Sequence, residues 1–104
     1  MTPVLVLTTV GADFDAGALA RSLVEARLAA CVNIVERVRS VYRWDDQVTE
    51  DREQLLLLKS SDDRLDALRD TLLRLHPYDV PEFVVLPVTA TSAEYGAWLA
   101  DSLR

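Results

Sequence analysis

The sequence predicts an α+β fold of the ferredoxin-like type, a βαββαβ plait with an extra C-terminal helix. Two observations support this prediction. β-rich runs alternate with stretches whose apolar residues recur at helical spacing, and their order is β-α-β-β-α-β followed by one more helix. Two right-handed crossovers around a central hairpin then give a four-stranded antiparallel sheet with both long helices on one face. We expect residues 1–104 to form a single domain.

The first half of the chain contains a strand, a helix and the first strand of a hairpin. The run from Pro3 to Thr9 (PVLVLTT) is rich in β-branched and apolar residues, which indicates a strand. Asp13 or Asp15 is expected to cap the helix that follows, whose leucines recur at helical spacing. The run from Cys31 to Trp44 starts β-branched and then alternates, and the residues Asp45-Asp46-Gln47 after it indicate a turn.

The second half completes the hairpin and adds a helix, a strand and the final helix. Glu53 to Ser60 (EQLLLLKS) is predicted as the second hairpin strand. Ser60 with Asp63 three residues later resembles a capping box, which predicts that the second helix starts there. Phe83 to Val88 is predicted as the fourth strand, and Ser92 is expected to cap a short final helix.

The sheet of such a plait has a second face that the two long helices leave open. Three strands are nonetheless apolar at every position, in the runs Val4–Leu7, Leu55–Leu58 and Phe83–Leu86. Strands of this kind are buried on both faces. A short C-terminal helix is too small to cover the whole open face, so the pattern predicts a homo-oligomer whose sheets pack together.

Composition excludes several classes of function. The formal net charge is −6, and lysines and arginines are scattered singly, so no nucleic-acid partner is expected. The N-terminus lacks the features of a signal peptide, and no apolar run is long enough to span a membrane. Cys31 is the only cysteine and cannot form an intrachain disulfide. These observations predict a cytoplasmic protein with no membrane partner.

The segment from His76 to Glu82 (HPYDVPE) is the strongest candidate for a functional loop. Pro77 and Pro81 fix the backbone twice and keep the residue before each of them out of the helical conformation. Polar and aromatic side chains on such a stiff connector are well placed to bind a ligand.

The chain is similar to the CutA family along essentially its whole length, from Val4 to Leu103. The matching stretches are Ala29–Ile34 (AACVNI), Ser40–Trp44 (SVYRW), Glu53 with Leu55–Lys59, His76–Glu82, Leu86–Val88, and Tyr95 with Trp98 and Leu99. The resemblance implies a ferredoxin-like fold assembled as a homotrimer and a role in tolerance of divalent cations, copper above all. The family also resembles the PII signalling proteins in architecture, which implies a small-molecule-sensing role as the alternative.

The possible cofactor is therefore copper or another divalent cation, and His76 is the candidate metal ligand. Copper prefers imidazole, thiolate and thioether donors, and the other soft donors here are Cys31 and Met1. Some relatives carry a cysteine and a second histidine at positions that look like Thr8 and Leu75 in this chain. Alternatively, His76 is a histidine at a helix C-terminus and Cys31 a small core residue.

A second set of residues is acidic and aromatic and is predicted to bind a ligand in a cleft between subunits. Its members are Tyr42, Trp44, Glu53, Lys59, Tyr78 and Glu82. The alternative is that the aromatic residues fill a subunit interface and the charged residues form ion pairs. No nucleophile and base are placed together by the sequence, so we expect a binding module and assign no catalytic residue.

Overall fold

The computed structural model describes all residues from Met1 to Arg104, and it confirms the predicted α+β plait. The elements in chain order are β1 (Pro3–Gly11), α1 (Ala16–Glu25), β2 (Cys31–Trp44), β3 (Gln47–Ser61), α2 (Leu65–Leu75), β4 (Val84–Pro87) and α3 (Ala93–Ser102), with a 3₁₀ turn (Asp62–Arg64) before α2. The four strands form one sheet in the order β2-β3-β1-β4. Every neighbouring pair is antiparallel.

Side-chain caps fix where two of the helices begin. The Asp15 carboxylate accepts a hydrogen bond from the backbone N–H of Ala18 at 3.0 Å, so Asp15 and not Asp13 caps α1. The Ser92 hydroxyl accepts from the backbone N–H of Tyr95 at 3.3 Å and caps α3, as predicted.

The predicted cap at Ser60 is wrong. Strand β3 continues through Ser61, and the Ser60 hydroxyl is buried and donates to the Leu28 carbonyl at 2.7 Å. It is Ser61 that precedes the 3₁₀ turn, and its hydroxyl donates to the Asp63 carboxylate. A strand that pairs with β1 as far as Pro3 outweighs the local capping signal one residue earlier.

The β2–β3 hairpin is longer than the sheet that supports it. β3 starts at Gln47 rather than Glu53, because the strand runs through polar residues that no apolar pattern marks. Asp45 and Asp46 form the two-residue turn with φ of 51° and 60°, a left-handed conformation that Asp tolerates. β1 ends at Gly11 opposite Glu53, so residues 39–52 project as a two-stranded ribbon, which we call the arm.

The core lies between one face of the sheet and helices α1 and α2. Val4, Val6, Thr8 and Val10 of β1 alternate inward, as the period of a strand requires. The largest fully buried apolar side chains around them are Leu23, Leu56, Leu58, Leu68 and Leu72. Leu68 and Leu72, one turn apart, are the contribution of α2 to this core.

The opposite face of the sheet is apolar, as predicted, and α3 covers only part of it. Leu99 of α3 and Leu103, which directly follows this helix, are buried in a small cluster with Ala30. Val84 and Leu86 of the edge strand stay 47% and 40% exposed. None of the helices is both long and apolar enough to cross a membrane.

We predict that the core and surface leucines of α2 differ sharply in their contribution to stability. Leu72→Ala removes a fully buried side chain and is expected to lower the free energy of unfolding by about 2–5 kcal/mol. Leu73→Ala, at the neighbouring position with 42% exposure, is the control and should cost no more than about 1 kcal/mol. Denaturant unfolding followed by circular dichroism measures both, and equal losses would contradict this assignment of the core.

Candidate functional site

A groove of about 590 Å³ lies at the base of the arm, where β1 ends and the segment after α2 crosses the sheet. Five of the six predicted ligand-binding residues line it: Tyr42, Trp44, Glu53, Tyr78 and Glu82. The arm supplies Tyr42 and Trp44 from the face that continues the open face of the sheet, because alternate strand residues share a face. These five residues therefore come together within one chain, whereas the sequence analysis placed their cleft between subunits.

Glu53 is at the centre of the groove. It lies opposite both Gly11 of β1 and Val38 of β2, at the last position where β3 is paired on both sides. Its side chain is buried, and its Oε2 accepts a hydrogen bond from the Tyr78 hydroxyl at 2.6 Å. Burial, together with this hydrogen bond, raises the pKa of the Tyr78 hydroxyl far above its ordinary value of 10.0. Tyr78 therefore stays a hydrogen-bond donor at all physiological pH values.

A second tyrosine–carboxylate pair forms on the arm itself. The Tyr42 hydroxyl donates a hydrogen bond to Oδ2 of Asp51, from the neighbouring strand on the same face. This hydrogen bond raises the pKa of Tyr42 above its ordinary value. The two tyrosines thus hold two carboxylates in fixed positions along one wall of the groove.

His76 ends α2 and connects the groove to the sheet. Its Nε2 lies 2.8 Å from the Thr9 carbonyl, which can only accept, and its Nδ1 lies 3.1 Å from the backbone N–H of Tyr78, which can only donate. Both contacts are satisfied only by the neutral imidazole with its proton on Nε2. Burial lowers the pKa of His76 below its ordinary value of 6.5, although the Thr9 carbonyl and the Glu53 charge act in the opposite direction.

These contacts bear on the predicted role of His76 as a metal ligand. Both ring nitrogens are engaged, so a metal ion could bind His76 only after one of the two hydrogen bonds breaks. No group of three or more His, Cys, Asp or Glu side chains in the chain is arranged to hold a metal ion. Cys31 lies opposite Lys59 in the sheet, well away from His76.

The structure does not bring Lys59 into this groove. Lys59 shares a face of β3 with Glu53, but six residues of extended strand separate them by about 20 Å. Its Nζ lies 5.5 Å from the centre of the Tyr95 ring, beneath α3. Parity along a strand predicts a shared face correctly, whereas proximity also requires the distance along the strand.

Four further polar residues of the groove were not predicted: Thr9, Ser40, Asp51 and Asp79. Asp51 could have been identified, because it precedes Glu53 by two residues and therefore shares its face. Asp79 lies inside the proline segment already singled out. Ser40 precedes Tyr42 by two residues and shares its face by the same rule, whereas Thr9 carries no sequence signal, since only the register of β1 against β3 places it here.

The groove is acidic and partly aromatic. Its lining includes four carboxylates, from Asp51, Glu53, Asp79 and Glu82, and no lysine or arginine. Carboxylates attract cations, and the faces of tyrosine and tryptophan rings add a further attraction for them. The site is therefore suited to a cationic ligand.

Comparison with known proteins shows the family. The model of the CutA1 divalent ion tolerance protein family matches residues 4–102. The Divalent-cation tolerance protein CutA of Thermus thermophilus is 46% identical over 98 residues, which cover 94% of this chain and 95% of the relative. Protein CutA, chloroplastic, of Arabidopsis thaliana is 45% identical over 83% of this chain, which spans 47% of that longer protein.

Solved structures agree with the sequence comparison. The Cut A1 protein of Thermus thermophilus superposes with a TM-score of 0.93 at 44% identity, covering 98% of this chain and 99% of that one. CutA1 of Oryza sativa superposes with a TM-score of 0.95 at 39% identity, covering 100% of this chain and 95% of that one. The family model and these superpositions together place the chain in the class of divalent cation tolerance proteins. The chain belongs to the CutA family.

We predict that the single imidazole titrates below pH 6.5. The folded-state pKa of His76 is lowered, so the stability that the neutral ring contributes is fully present above pH 6.5 and is lost as pH falls through the folded value. A proton NMR titration observes this directly, because His76 is the only histidine. A midpoint at or above 6.5 would contradict the hydrogen-bond arrangement described above.

A matched variant separates this effect from the titration of carboxylates. His76→Gln keeps a polar side chain but cannot take up the proton, so its stability should fall less steeply than that of the wild type just below pH 6.5. Asp66→Asn, on the exposed surface of α2, leaves both hydrogen bonds of His76 in place and is the control, so it should follow the wild-type pH dependence in this range.

Proposed function

We propose that this chain is a non-catalytic, homotrimeric binding module in divalent cation tolerance, with its ligand site in the groove at the base of the arm. One observation supports this proposal above all. Four carboxylates line the groove with no basic residue, and one of them, Glu53, is buried. The Glu53 carboxylate accepts one side-chain hydrogen bond, from the Tyr78 hydroxyl, so it keeps acceptor capacity with which it could bind a cation in the groove. The proposal retains the cytoplasmic location expected from the sequence.

The preferred ligand is a divalent cation, with copper the case that the family resemblance suggests. Carboxylate oxygens suit hard divalent ions, whereas copper also favours imidazole. His76 adjoins the groove through Tyr78, and copper could recruit it if the Nδ1 hydrogen bond to the Tyr78 N–H opened. Because a single chain has no complete set of metal ligands, the proposed site requires water or a second subunit to complete the coordination.

Exposed apolar surface supports the proposed trimer. Val41, Trp44 and Val48 on the arm are 55–68% exposed, and an isolated two-stranded ribbon is only marginally stable in water. The open face of the sheet adds Val84 and Leu86. Packing these surfaces against other copies would remove them from water and would close the groove on its exposed side.

A second candidate function is a PII-like sensor that binds a small molecule in a cleft between subunits. The volume of the groove and the ring of Trp44 in its wall favour this candidate, because a metal ion needs neither. The carboxylates imply that such a molecule would be an organic cation. The two candidates share a site and differ in the size of the ligand.

We predict that Glu53→Gln weakens cation binding at least 10-fold, about 1.4 kcal/mol. The substitution removes the charge but keeps an oxygen that can accept the Tyr78 hydrogen bond. Titration calorimetry of the oligomer with copper, zinc and magnesium salts measures the effect, and Asp66→Asn, on the exposed surface of α2, is the control. No heat with any of these metals in the wild type would contradict the metal proposal.

The same titration distinguishes the candidates. If the wild type binds a metal and His76→Gln does not, the imidazole of His76 is one of the metal ligands. If no metal salt gives heat, but the organic cation spermidine binds and Glu53→Gln weakens that binding, the sensor is favoured.

We predict a particle mass of about three times the 11.6 kDa chain mass in light scattering after gel filtration. Leu86→Glu places a charge on the open face and should lower this mass, because a buried unpaired carboxylate opposes association. Leu73→Glu, on the outer surface of α2 at a similar exposure, should leave the mass unchanged. A wild-type mass of one chain would contradict the proposed assembly.

A further inference from the structure

The face of the arm that points away from the groove carries a concavity with the opposite charge. It has a volume of about 390 Å³ and is lined by Ala12, Glu36, Arg37, Arg39, Arg52 and Gln54. Three arginines and one glutamate give this lining a net charge of +2, in a chain whose formal net charge is −6. We call this concavity the arginine pocket.

Two of its arginines are directly opposed across the hairpin. Arg39 of β2 pairs in register with Arg52 of β3, and like charges in this position destabilise a sheet. Arg39 is partly compensated, because its Nε lies 2.9 Å from Oε2 of Glu50, but this ion pair is exposed. Arg52 and Arg37 form no ion pair. The exposed Arg39–Glu50 ion pair is therefore the only one within the chain that offsets the repulsion between these two arginines.

A β-bulge adds the third arginine. The pairing of β2 with β3 shifts between Val35 and Val38, and Arg37 within this bulge has a left-handed φ of 61°. Arg37 and Arg39 are two residues apart and share a face of β2, and the bulge shifts the alternation of β2 so that this is the face on which Arg52 of β3 lies. The bulge and the register of the hairpin together bring two arginines of β2 to the face of Arg52.

The floor of the pocket is held rigidly. Gln54 is buried, and its Nε2 donates to the carbonyls of Gly11 and Phe14, each at 2.9 Å. These bonds tie the turn between β1 and α1 to β3, which fixes Ala12 at the rim. A ligand would therefore meet a preformed surface, which reduces the entropy lost on binding.

We propose that the arginine pocket binds a small oxyanion with at least two negative charges, carried by phosphate or carboxylate groups. The guanidinium group presents paired N–H donors that match the spacing of oxygens in both kinds of group. An anion between Arg39 and Arg52 would convert their repulsion into two attractions. The site lies on the other side of the ribbon from the acidic groove, so this proposal is independent of the proposed cation site.

The test is titration calorimetry of the oligomer with sodium pyrophosphate and, separately, with trisodium citrate, at constant ionic strength. We expect the wild type to bind at least one of them and Arg52→Gln to weaken binding at least 10-fold. Arg37→Gln is a second variant, and Arg21→Gln, an exposed arginine of α1 with no ion pair, is the control that should bind as the wild type does. Binding of both anions indicates general oxyanion recognition, and binding of one identifies the group.

Two results would overturn the proposal. The first is that the wild type binds neither anion. If Arg52→Gln then also lowers the mass of the oligomer, the pocket is filled by carboxylates of a second copy and not by a small anion. The second is binding that Arg52→Gln and Arg37→Gln leave unchanged. Loss of the fold is checked by thermal unfolding without anion, where Arg52→Gln should be at least as stable as the wild type because the like-charge pair is gone.

Discussion

The feature on which the rest of this structure depends is the difference in length between the β2–β3 hairpin and β1. β3 is paired on both sides only as far as Glu53, because the chain leaves the sheet after Gly11 to enter α1. Beyond that point the arm has two faces and no helix or third strand to cover either of them. The acidic groove and the arginine pocket both lie where the three-stranded part of the sheet ends and the ribbon begins.

The proline segment closes one side of this junction. His76 binds the last part of β1 through the Thr9 carbonyl and binds its own loop through the Tyr78 N–H, and Tyr78 in turn binds Glu53. These hydrogen bonds connect the end of α2 to Glu53 of β3, and the histidine in this network is neutral. It is a neutral, buried support that positions Tyr78, and it leaves the carboxylates of the groove available for the cation proposed above.

The two faces of the arm carry opposite charge and are separated by one strand thickness. Asp51 and Glu53 point to one side, and Arg39 and Arg52 point to the other, because neighbouring residues of a strand alternate. A ribbon of this kind can hold two ligands of opposite charge or can pair with complementary faces of other copies. The apolar residues at its tip, Val41, Trp44 and Val48, favour contact with other copies there.

The sequence by itself determined the order of the elements, the two-faced apolar sheet, the turn at Asp45 and Asp46, and five members of the groove. The first three follow from periodicity or local backbone preference, and the groove residues were singled out from shared strand faces and from the stiff proline segment, none of which needs knowledge of distant contacts. Tertiary structure alone decided how far β3 extends, where the bulge lies and which residues oppose each other across the hairpin. For that reason Lys59, which has the right face, lies outside the groove, and arginines that look scattered meet in one pocket. Register and bulges depend on the pairing of whole strands, and a one-residue difference in pairing moves every later side chain to the other face.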